Sequence, residues 1–150
     1  MSGLKDQLRA DLNAAMKSRD ELTTATLRMA LTSITKEEVA GDAARELDDD
    51  EVQRVLTREA KKRREAAEAF DAAGRAELAS RERAEGTVLD RYLPTQLDDA
   101  ELAELVTAAI AEAGASNPRD MGAVMKIVVP QVAGRADGKR VSDEVRRRLG

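Results

Sequence analysis

Apolar residues in this chain recur every three or four positions, and that spacing limits its possible folds more than any other feature. Leu4, Leu8, Leu12 and Met16 form the stripe of a first helix. A second follows Asp20, with a stripe through Thr23, Leu27, Ala30, Leu31 and Ile34, until "AGD" interrupts it near Gly41. The third opens at "LDDDEV": Asp48 can cap the free backbone amides and Glu51 completes a capping box, while Asp49 and Asp50 suit the positive end of the helix dipole. The same carboxylates could gather a metal, but the complete helix-start pattern favours capping. This helix is predicted to run to about Ala73, with Gly74 as its stop. A fourth spans about Arg75 to Tyr92, where Pro94 ends it by disfavouring helical geometry in Leu93 and removing a backbone donor.

Beyond that break the pattern restarts. Asp98 and Glu101 form a second capping box, and the helix that they open stops at Gly114. "ASNP" reads as a linker. Met121, Val124, Met125, Val128 and Val132 keep helical spacing, so a helix kinked at Pro130 is expected despite the β-branched "IVV". The last helix starts at Asp137 and carries Val141, Val145 and Leu149 on one edge. The expectation is an all-α protein: a four-helix bundle-like domain over 1–93 and a three-helix tail domain over 95–150, with Tyr92 packing the junction.

Composition removes much of enzymology. With no cysteine and no histidine among 150 residues, disulfides, thiolate nucleophiles, the usual zinc sites and imidazole bases are all excluded. No serine and lysine are singled out as a pair, so no catalytic residue, cofactor or metal is expected. The start "MSGLKDQLRADL" is charged and no apolar run approaches a membrane span, which predicts a cytoplasmic protein with no membrane partner. The net charge of −4 disfavours a general nucleic-acid surface, and no DNA partner is expected. From Arg119 onward, however, eight Lys/Arg stand against four acids, a basic end on an acidic body.

Within that end, "GRADGKR" (134–140) falls short of a phosphate-binding P-loop: one intervening residue is missing and arginine replaces the magnesium-reaching Ser/Thr. Gly134 ending one helix and Asp137 capping the next is the simpler reading, which leaves Arg135 and Lys139 free. Lys139, Arg146 and Arg147 project away from the apolar edge of the last helix, either as a solvated face or as phosphate contacts. Arg63 differs from Lys61, Lys62 and Arg64 because it falls on the apolar stripe of Leu56, Ala60, Ala67 and Phe70. A partly buried ion pair with Glu59 or with a neighbouring helix is expected for it, ahead of RNA contact. With Phe70 and Tyr92 as the only aromatics, any RNA recognition should use phosphates and shape.

The stretches "TLRMAL", "REAKKRREAAEAF", "YLPTQLDDAEL" and "DMGAVMKIVVPQVAGRADGKRVSDEV" together resemble the GatB/YqeY family over nearly the whole chain. Members look like free-standing versions of the C-terminal helical and tail domains of GatB, a subunit of the tRNA-dependent amidotransferase. The resemblance implies an all-helical protein whose tail grips the outer corner of tRNA. Asp120, Met121 and Gly122, with Gly134, Arg135, Ala136, Asp137, Gly138 and Lys139, match the tail signatures. Gly122 is expected to permit close helix approach. Ala123 stands where a lysine is common after "DMG". GatB's catalytic cradle has no counterpart here, so a carbon–nitrogen ligase activity using glutamine as amido donor is implied only through a partner. The expected function is a tRNA-binding accessory module that works with an amidotransferase or aminoacyl-tRNA synthetase. Arg119, Lys126, Arg135, Lys139, Arg140, Arg146 and Arg147 are its candidate RNA contacts. A helical protein-interaction module without an RNA role is the alternative.

Overall fold

The structure, a computed structural model, describes residues 3–150. Among these residues it is all-helical, with seven α-helices and no strand. The chain divides into two compact units, one ending at Leu93 and the other running Pro94–Gly150.

The first unit contains α1 (Gly3–Ser18), α2 (Glu21–Glu38), α3 (Asp49–Ala72) and α4 (Ala76–Asp90). Asp20 caps α2 by accepting from the Thr23 amide, and Asp48 and Glu51 form a complete capping box on α3. After α3 the chain turns through Gly74, whose φ of +73° is open to glycine without steric cost. Leu8, Leu27, Ile34, Val52, Leu56, Val88 and Leu89 fill the core, and Leu47 plugs it from the α2–α3 connection. Glu38 binds that connection in place: it accepts from the Leu47 amide at 3.2 Å and pairs with Lys5 of α1 at 2.7 Å. The salt bridge and that amide hold the Glu38 carboxyl below its ordinary range. Tyr92 packs against this same core and donates its hydroxyl to Asp11 at 2.6 Å.

The second unit contains α5 (Asp99–Ala113), α6 (Met121–Val132) and α7 (Gly138–Leu149). The Asp98–Glu101 capping box opens α5 and Gly114, at φ +63°, closes it. The "ASNP" stretch is more ordered than a linker: Pro118–Asp120 forms a 3-10 turn capped by Asn117 and leading directly into α6. Helix α6 continues through Pro130 for two further residues, with the proline removing its own amide as a donor in the last turn. The helix stops at Val132, and its left-handed cap is Ala133 (φ +49°), with Gly134 following at φ +78°. Ala136 is drawn into the core with Leu102, Val106, Val124, Val128, Val141, Val145 and Leu149.

Candidate nucleic-acid interface

The seven cations put forward by the sequence separate into three groups. Arg135 and Arg140 hold the second unit together. The Arg135 side chain donates to the Val132 and Gln131 carbonyls at 3.4 Å each, and its own carbonyl accepts from Leu97 at 2.8 Å. Arg140 donates to the Leu97 carbonyl and to Asp99, both at 3.0 Å. The reading of Arg135 as a free cation is therefore corrected: it satisfies carbonyls that α6 leaves open at its C-terminus.

Lys139, Arg146 and Arg147 do project into solvent, but each has a carboxylate on its own helix. Asp143 pairs with Lys139 and with Arg146, at 3.1 Å each. Glu144 pairs with Arg147 and with Arg148, at 2.7 Å each, and their hydrogen bonds hold its carboxyl below the usual range. Lys139 is thus not free either. Arg148 was missed as a partner, although its i,i+4 offset from Glu144 was available in the sequence.

Arg119 and Lys126 form the third group. Both are exposed, and among the described residues neither has an ion-pair partner. Gly122 and Ala123, also exposed, fall between them at offsets of three and four, so the 3-10 turn and α6 present all four residues along one side. Among the described residues a Cβ built on Gly122 would meet nothing within 4 Å outside its own helix backbone, which corrects its expected role in close helix packing. Gly138, in the first turn of α7, is equally open. Asp120 turns inward to accept from the Ser116 and Asn117 amides at 3.0 and 3.4 Å, fixing the turn that carries Arg119. Val129 continues the exposed side, 51% accessible. The strip offers two point charges flanking a low, smooth surface, which suits contact with a backbone better than with a small molecule.

Electrostatics of the unit as a whole also correct the picture of a basic end. The eight Lys/Arg from Arg119 onward share Pro94–Gly150 with nine Asp/Glu, since α5 and its cap contribute Asp98, Asp99, Glu101, Glu104 and Glu112. The remaining structural candidates lie in the first unit. Arg63 is enclosed by Glu59 on its own helix at 3.4 Å and by Glu85 and Glu82 on α4 at 3.1 and 3.7 Å. Among the described residues no group of three or more acidic or metal-ligating side chains could hold a metal ion.

The family model described as Yqey-like protein matches residues 5–149, both units included. The chain belongs to the YqeY family. A comparison with curated proteins found no match. YqeY membership covers the strip on α6, the capped α7 and the Arg63 cluster alike, so it selects none of them as the site. Among the described residues no helix is long and apolar enough to cross a membrane.

Proposed function

We propose that the chain is a cytoplasmic, non-catalytic accessory module that docks on tRNA through the exposed side of the 3-10 turn and α6. The exposed pair Arg119 and Lys126, without carboxylate partners, is the observation that carries this reading. Each supplies a charge to a phosphate, while Gly122 and Ala123 keep the surface low enough for a sugar–phosphate backbone to approach. Neither aromatic residue lies in the second unit, so bases are not read by stacking there and the preference is for RNA shape. The likeness to the GatB tail supports tRNA as the ligand, with chemistry supplied by an amidotransferase or synthetase partner. The pairs on α7 make Lys139, Arg146 and Arg147 secondary contacts, because each must leave an acid before meeting a phosphate.

Titration of bulk tRNA against the purified protein, with duplex RNA of equal charge as control, tests this reading. Arg119→Ala with Lys126→Ala is expected to weaken tRNA binding about tenfold or more and to reduce the salt slope by nearly two contacts. Arg146→Ala with Arg147→Ala should cost much less. Unchanged affinity in the first variant, or no preference for tRNA over duplex, removes the assignment. The exposed Val129 and the acidic total of the second unit favour a protein-interaction module as the second reading. A partner retained after nuclease treatment at high salt would put that reading first.

A further inference from the structure

Among the described residues, Arg9, Arg54, Arg75 and Arg91 of the first unit have no carboxylate within ion-pair distance, and neither do Arg19, at the turn joining α1 to α2, and Arg28. Arg19 and Arg28 both line an open groove of about 520 Å³ whose other walls are Met16, Glu21, Thr24 and Ala25. Met16 is one of few large apolar side chains left exposed, at 40%. The acid in the groove wall, Glu21, is already engaged by Arg81 at 2.9 and 3.0 Å.

We propose that this groove docks an acidic, apolar segment of a protein partner, independently of any RNA contact by the second unit. Arg28 points a guanidinium nitrogen at the Met16 sulfur, 3.2 Å away. A thioether is a weak acceptor, so a carboxylate arriving there exchanges a poor contact for a charge-assisted one. Arg19 stands at the turn with φ +58°, a left-handed conformation that favours glycine, and brings a second guanidinium to the groove wall. In the same groove, Met16 and Ala25 give an apolar lining on which a leucine-sized side chain can pack, and methionine adapts its shape to such contacts. An apolar centre bordered by arginine is the composition of a protein interface core. RNA fits less well, because its phosphates gain nothing from the exposed thioether of Met16, whereas an apolar side chain of a peptide does.

The methionines allow a direct test, because among the described ones Met16 alone lines the groove. The full chain, labelled at its methionine methyls, would be titrated with a helical peptide of Leu, Glu and Ala, with its Glu→Lys counterpart, and with an oligouridylate. The Glu peptide is expected to move the Met16 methyl saturably and leave Met29, Met121 and Met125 in place. Arg19→Gly with Arg28→Gln, which keeps the left-handed turn, is expected to weaken that binding at least tenfold. A stationary Met16, an equal response to the Lys peptide, or full affinity in the double variant overturns the proposal. So does an oligouridylate that displaces the Glu peptide, which would make the groove a nucleic-acid surface.

Discussion

Arg63 shows how a single side chain can organise a helix pair. Its side chain is 16% exposed, and three glutamates from two helices lie within 3.7 Å of it. The buried Nε has no hydrogen-bond partner, so the cluster is held by charge more than by directed bonds. Replacing Arg63 with Met keeps most of the apolar stem but leaves Glu59, Glu82 and Glu85 facing one another without their central cation. Breaking a buried pair from one side costs about 3 kcal/mol, most of it the penalty on the charges left behind. Denaturant unfolding of Arg63→Met at neutral pH is expected to show a loss of that order, and Arg63→Lys a smaller one. A wild-type midpoint in Arg63→Met would mean that Lys62 on Glu59, Arg81 on Glu85 and solvent suffice to balance the glutamates.

At the scale of one helix, the first turn of α3 couples capping to charge. Glu51 accepts from the Asp48 amide at 3.3 Å, and Arg45 approaches the same carboxylate at 2.5 Å. The arginine bond and then the amide lower the Glu51 pKa from 4.5 to about 2. The folded value lies below the unfolded one, so this contribution is complete above about pH 4.5 and disappears as pH falls toward 2. Thermal melts in pH steps should show wild type losing stability across that window more steeply than Glu51→Gln, whose amide still accepts in the capping box. High salt should narrow the difference, because Arg45 is largely exposed. Parallel melts at low salt would contradict it. This element was legible in the sequence because a capping box is complete within four residues. Arg63 was legible only in part: its phase on α3 fixed its burial, but Glu82 and Glu85 come from another helix. Gly122 was misread for the converse reason, since a glycine beside a helix start does not reveal whether any neighbour approaches it. The pairs on α7 follow i,i+3 and i,i+4 spacing and were open to view, and so was neutralisation by α5, because the expected tail domain over 95–150 holds both helices while the charge count began only at Arg119.

For the molecule as a whole, charge limits how RNA can be bound. Acids outnumber bases by three in the first unit and by one in the second, so neither attracts a polyanion through its total field. Binding must come from local contacts. If Arg119 and Lys126 carry the tRNA contact, two neutralised phosphates imply a log–log salt slope of about −1.5 to −2, shallow for a nucleic-acid binder. The strip itself offers a way to change that number without disturbing the fold. Ala123 lies exposed between the two cations, and Ala123→Lys adds a third charge on the same side. Its expected effect is tighter tRNA binding with a slope steeper by about one contact. Glu144→Gln, which releases Arg147 and Arg148 on α7, is expected to strengthen binding only slightly at low salt and to steepen the slope by much less than one contact. A wild-type slope near −5, or a Glu144→Gln slope that steepens by two contacts while that of Ala123→Lys stays fixed, would move the RNA surface from α6 to α7.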